Sequence, residues 1–107
     1  MFNLTKTFTV LSNETRWNIL TWLKHPRKYF PEGVCATEAK GLKLEEIGVC
    51  VGLIQQKAGL SQSTTSNYLS QLQGIGLVEA QRLGQWTYYR RNEGNIKKLA
   101  EQLGKDL

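Results

Sequence analysis

A chain of 107 residues, 40% of them apolar, is long enough for one domain built on one modest core. A net charge of +5 gives a mild bias towards a polyanionic partner, while two cysteines, Cys35 and Cys50, are too few for a secreted disulfide scaffold. The longest apolar run, Ile47 to Ile54, is broken by two glycines and too short for a bilayer, and the N-terminus lacks a basic-then-apolar signal. A soluble, cytoplasmic protein is expected.

The predicted elements begin with a short helix over residues 3–11, carrying Leu4, Phe8 and Leu11 at spacings of four and three. Ser12 and Asn13 supply capping side chains before a second helix, Glu14 to Lys24, whose Ile19, Leu20, Trp22 and Leu23 face inward. Pro26 and Pro31 end that helix. Residues 26–48 read as an irregular connector that packs through Val34 and its leucines, with one or two helical turns around Glu45 and Glu46. Val49 to Val51 is β-prone and makes a strand stub.

A short helix follows from Leu53 to Lys57 or Ala58, with Gly59 suited to the left-handed position that closes it. Ser61 is an N-cap for the next helix, Gln62 to Gln73. Residues 77–82 and 85–91 then read as two strands joined at Leu83-Gly84, and Trp86 to Tyr89 are all strand formers. Asn92 caps a last helix over residues 93–103 with Ile96, Leu99 and Leu103 on one face. The fold class is therefore mainly α with a small β-hairpin wing (α+β), a single winged helix-turn-helix domain over residues 1–107.

The informative element is the helix-turn-helix over residues 53–73. In its second helix Thr65, Leu69 and Leu72 face the core, while Gln62, Ser63, Ser66, Asn67 and Ser70 form an uncharged polar face. Amides and hydroxyls donate and accept hydrogen bonds at base edges in a major groove. Neighbouring cations and free helix N-terminal amides hold phosphates. An ordinary surface helix shows the same polar face, and the wing over residues 77–91 separates the two readings. Its tip carries Arg82 and Gln85, suited to a minor groove or the backbone. Base contacts are accordingly assigned to Gln62, Ser63, Ser66 and Asn67, and phosphate or minor-groove contacts to Thr64, Arg82, Gln85 and Arg90.

These stretches resemble the ArsR/SmtB family of small metal- and stress-responsive repressors. Leu11 to Arg16 followed by Ile19-Leu20 is similar to the family's second-helix signature, Gly59 to Ser66 to its recognition helix, and Gly84 to Arg90 to its wing. The resemblance implies a homodimer built from the first and last helices, residues 3–11 and 93–103, that represses transcription on an imperfect palindrome. Two-fold symmetry would set the reading helices roughly 34–36 Å apart. It also implies release by a ligand that lowers the DNA-competent population. Two departures limit the transfer. Metal-sensing members carry Cys-Val-Cys where this chain has Cys50-Val51-Gly52, and residues 93–107 contain no histidine for the family's other metal site.

Cys35 and Cys50 admit two readings: a thiol sensor that forms a disulfide or captures a thiophilic metal or metalloid, or two buried small apolar residues, which is the favoured reading. No resident cofactor or metal is expected. His25 reads as a helix-end or solvated side chain, and Trp17, Trp22 and Trp86 as core and dimer-contact residues rather than a ligand cage. One of Tyr88 and Tyr89 should be buried and the other exposed. An enzyme is excluded for want of a phosphate loop, a Cys-His pairing or a metal-binding cluster. The alternative is a winged-helix protein-interaction module without DNA-binding activity, against which the polar helix and basic wing tip argue. RNA binding is weaker again, because the aromatics do not form a stacking platform.

Overall fold

A computed structural model describes residues 1–31 and 41–107. The order is α1 (Leu4–Leu11), α2 (Glu14–Lys24), α3 (Pro26–Tyr29), α4 (Leu44–Ile47), β1 (Val49–Cys50), α5 (Val51–Ala58), α6 (Gln62–Gly74), β2 (Val78–Leu83), β3 (Trp86–Arg91) and α7 (Glu93–Asp106). Val34 and Cys35, which the sequence places in the connector, lie outside the described residues.

Local chemistry sets most helix starts. The side chains of Asn3, Asn13, Ser61 and Asn92 accept hydrogen bonds from the backbone N–H groups of Lys6, Arg16, Thr64 and Asn95, satisfying donors that a helix's first turn leaves without partners. At Pro26 the sequence reading needs correction. The residue ends α2 but also opens α3 from its first turn, where a fixed φ and a missing N–H carry no penalty. The short α3 is tied to α4 by an exposed ion pair, Arg27 Nε to Glu45 Oε1 at 2.5 Å. The Arg27 hydrogen bond lowers the Glu45 carboxyl pKa below its ordinary value.

The three strands form one antiparallel sheet in the order β1-β3-β2. Val49 faces Tyr89 and Cys50 faces Tyr88, while Leu83 faces Trp86 at the far end of the hairpin. The strand stub is therefore an edge of the wing sheet, shorter by one residue than expected. Cys50 has extended backbone angles and serves as the N-cap of α5, so Val51 begins the helix in spite of its β-branched side chain. Gly48, with φ +93°, passes so close to β3 that an added Cβ would lie 2.4 Å from the Tyr89 carbonyl oxygen. Only glycine allows both that torsion and that approach.

The core joins α2, α5, α6, β2 and α7 through Ile19, Leu23, Ile54, Leu69, Leu72, Val78 and Leu99. Fully burying one such leucine contributes about 1.5–3 kcal/mol; truncating Leu69 or Leu72, both at zero exposure, would cost about 2–5 kcal/mol. A smaller cluster of Ile47, Cys50 and Tyr88 lies under the wing, with Trp86 against it. As expected from strand alternation, Tyr88 is fully buried and Tyr89 is only partly so. In α1 the inward residues are Thr7 and Val10, whereas Phe8 is 47% exposed and turns to solvent. Trp17 is also exposed, at 55%. Among the described residues no helix is long and apolar enough to cross a membrane.

Candidate nucleic-acid interface

Helices α5 and α6 meet at a turn whose geometry is fixed by three residues. Gly59 takes left-handed angles, φ +68° and ψ +30°, and its N–H donates to the Gln55 carbonyl at 3.0 Å. This residue closes α5 and redirects the chain. Ser61 then caps α6: its Oγ accepts from the Thr64 N–H at 3.1 Å and donates to Thr64 Oγ1 at 2.9 Å. Thr65, fully buried, donates its hydroxyl to the Ser61 carbonyl at 2.9 Å. With Thr65, Leu69 and Leu72 buried, the rotation of α6 is determined, because helical residues three and four apart share a face.

That rotation leaves Gln62, Ser63, Ser66, Asn67 and Ser70 exposed together. None carries a charge, and each offers hydrogen-bonding groups to a partner. Thr64 is only partly exposed and is engaged with the cap, yet its own hydroxyl hydrogen remains able to donate. The Gln71 amide donates to Asn67 Oδ1 at 2.5 Å, orienting the Asn67 side chain from one turn along. Sequence reasoning missed Gln71, although the i, i+4 spacing of an Asn–Gln pair was a usable signal.

A second unanticipated group holds α6 from behind. Asn13 Nδ2 donates to the Tyr68 hydroxyl at 3.4 Å. Arg16 stands 4.9 Å over the Tyr68 ring while its Nε donates to the Val10 carbonyl at 2.6 Å. A single guanidinium thereby links the end of α1, the start of α2 and the recognition helix. Such a stacked, forked contact suits arginine in a way lysine cannot reproduce.

The wing turn at Gly84 places Arg82 and Gln85 at its exposed tip, where Arg82 Nε donates to the Gly84 carbonyl at 3.2 Å. Arg90 is placed differently from the other candidates. It lies towards the strand end remote from the tip, pairs with Glu79 at 3.0 Å and donates a further hydrogen bond to the Glu46 carbonyl. This arginine ties β2, β3 and α4 together. Arg91 pairs with Glu93 at 2.9 Å. The structure thus gathers Gln62, Ser63, Ser66 and Asn67 on one face, sets Arg82 and Gln85 on the finger, and leaves Arg90 at the finger's base.

Cys50 is fully buried at the root of α5, and among the described residues no cysteine is a free thiol. Its partner in the sensor reading, Cys35, lies outside the described residues. Among those described, no group of three or more His, Cys, Asp or Glu could hold a metal ion. His25 is exposed and its backbone joins α2 to α3.

A helix-turn-helix with an exposed polar face, followed by an antiparallel wing, defines the winged helix-turn-helix class of DNA-binding domain. No family model matches the chain. Over 100 residues it is 43% identical to the uncharacterized HTH-type transcriptional regulator YbzH of Bacillus subtilis, covering 94% of each chain. An ArsR-like transcriptional regulator from Rhodococcus sp. RHA1 superimposes with a TM-score of 0.66 at 25% identity, covering 95% of this chain and 76% of that one. The homodimeric winged helix-turn-helix DNA-binding domain of Mb0332 from Mycobacterium bovis gives 0.60 at 27% identity, covering 96% and 78%. The chain belongs to the ArsR-like family of winged helix-turn-helix transcriptional regulators, a non-enzymatic class.

Proposed function

We propose that this protein is a cytoplasmic homodimeric repressor that binds a specific operator in double-stranded DNA. The observation that carries the reading is the exposed, uncharged face of α6 presented beside a wing tipped by Arg82 and Gln85. Gln62, Ser63, Ser66 and Asn67 read base edges in the major groove. Thr64, with the free amides of the first turn of α6, holds a phosphate, and Arg82 and Gln85 grip the backbone or the minor groove beside it. Arg90, expected from sequence to join them, braces the wing through Glu79 instead. Both partners of that pair are more than 40% exposed, so a phosphate contact by Arg90 requires only the opening of a weak surface pair.

The second copy docks on an apolar groove between α1, α2 and α7. Phe8, Leu11, Trp17, Ile96, Leu99 and Leu103 line a cavity there of about 680 Å³. An exposed apolar patch of this kind is unfavourable on a monomer, and the similar Mycobacterium bovis domain is homodimeric. Two-fold symmetry would then present two reading helices to two half-sites. Release by a thiol-directed signal is proposed at Cys50 together with Cys35, acting on their reduced, free-thiol form. Cys50 sits where β1 turns into α5, so a change at its sulfur would bear on both the wing sheet and the first helix of the reader.

Gel shifts on the DNA upstream of the protein's own gene, run across a salt series, test this function. Sequence-selective binding that weakens steeply as salt rises is expected. Equal affinity for all duplexes would reject the repressor reading. A Cys50→Ser variant still released from DNA by oxidant or thiophilic metal like the wild type would reject the thiol signal.

A further inference from the structure

On the side of α5 towards α2 and α3, three aromatic rings surround one cation. The Lys57 ammonium stands 5.3 Å from the Trp22 ring centroid, 5.3 Å from Tyr29 and 6.0 Å from Phe30. Trp22 and Phe30 meet edge to face at 83° with centroids 6.4 Å apart, so two of the walls stand at right angles. Phe30 is 2% exposed, and Trp22 and Tyr29 are half-buried against the core. The walls are therefore built into the fold and do not depend on the cation for their positions. Lys57 itself is exposed, and among the described residues no carboxylate pairs with it.

We propose that Trp22, Tyr29 and Phe30 form a binding site for a compact quaternary ammonium cation, which Lys57 occupies when no such ligand is present. Faces of Trp, Tyr and Phe within about 6 Å of a positive charge attract it through the ring quadrupole, and quaternary ammonium groups are bound by aromatic cages on this principle. Lysine fills the site incompletely. Its ammonium is compact and strongly hydrated and stays near the outer limit of that range on all three rings. A tetra-alkyl cation carries no N–H to hydrate and spreads its charge over methyl groups that can touch every wall. Beside the lysine lies a cavity of about 300 Å³ lined by Tyr29, Phe30, Pro31, Leu53, Gln56 and Lys57; Trp22 does not line it and becomes a wall only at the place the Lys57 ammonium now takes. Lys28 also stands over Tyr29, at 5.2 Å, and its like charge favours singly charged ligands over polycations. Lys57 lies four residues before the Ser61 cap, so any effect of the ligand on DNA rests on the function proposed above, but the binding itself does not.

The test uses the full chain without DNA, titrated with tetramethylammonium chloride against sodium chloride at matched ionic strength, with tert-butanol as the uncharged analogue. Binding is read from the Trp22 indole N–H resonance. The wild type should show a saturable shift with tetramethylammonium and none with tert-butanol. Lys57→Ala, an exposed change that leaves the walls intact, should bind about 2–5 times more tightly, the factor for removing one competing exposed cation–π contact. Tyr29→Leu in the Lys57→Ala background should weaken it again. No saturable shift in Lys57→Ala, affinity equal to wild type, or an equal response to tert-butanol would each overturn the site. Because no DNA is present, these failures are distinct from a failure of operator binding.

Discussion

Replacing Gly48 by alanine separates a backbone requirement from ordinary helix and loop effects. Gly48 has φ +93° and ψ −168°, a region that essentially only glycine adopts, at a cost of about 1–3 kcal/mol for another residue. The added Cβ also meets backbone: it would lie 2.4 Å from the Tyr89 carbonyl oxygen, where contacts under 3.0 Å are essentially never found. Relief requires β3 to move from Gly48, which loosens the Val49–Tyr89 and Cys50–Tyr88 pairing, and each lost hydrogen bond removes about 0.5–1.5 kcal/mol. Together, with two such bonds lost, these give a loss of about 2–6 kcal/mol, a large share of the stability of a small domain. Gly104→Ala supplies the contrast. It sits within α7 with nothing near its missing Cβ, and should gain about 0.5–1 kcal/mol. Urea denaturation followed by circular dichroism, at one fixed protein concentration because a dimer's stability depends on it, measures both. If Gly48→Ala unfolded within about 1 kcal/mol of wild type at an unchanged slope, the close approach of β3 to Gly48 would be wrong.

The remaining predictions concern the interface. Arg82→Ala should weaken binding to specific and random duplexes alike and reduce the slope of log affinity against log salt by about 1, measured by fluorescence anisotropy. Trp17→Glu should yield a folded monomer in sedimentation velocity, because it places a charge in the apolar groove of Phe8, Leu11 and Leu103. Ser61→Ala should destabilise the chain by about 0.5–2 kcal/mol in the same urea assay, through loss of the Thr64 N–H acceptor.

What the sequence made legible was mostly local. The bounds of α2, the start of α6 and the inward stripe of Thr65, Leu69 and Leu72 follow from caps and periodicity within a few residues. The uncharged reading face follows from the same stripe. Residues whose roles depend on distant neighbours were less accessible. In α1 the spacing of Leu4, Phe8 and Leu11 predicted a helix without saying which side faces the core, and Leu4 and Leu11 do pack against it. The neighbours chose Thr7 and Val10, leaving Phe8 on the groove. Arg90 looked like one more wing cation until the register placed Glu79 opposite it. Trp22 was read as a core residue and does pack there; that Tyr29, Phe30 and Lys57 converge on it depends on how α2, α3 and α5 meet, which spacing does not encode.

Base reading by the exposed face of α6 is tested most directly by one ratio: affinity for the protein's own operator over affinity for a scrambled duplex, in wild type and in Asn67→Ala. The asparagine variant should lose about 1–3 kcal/mol on the operator and almost nothing on scrambled DNA, so that the ratio collapses. An equal loss on both duplexes, or an unchanged ratio, would contradict it.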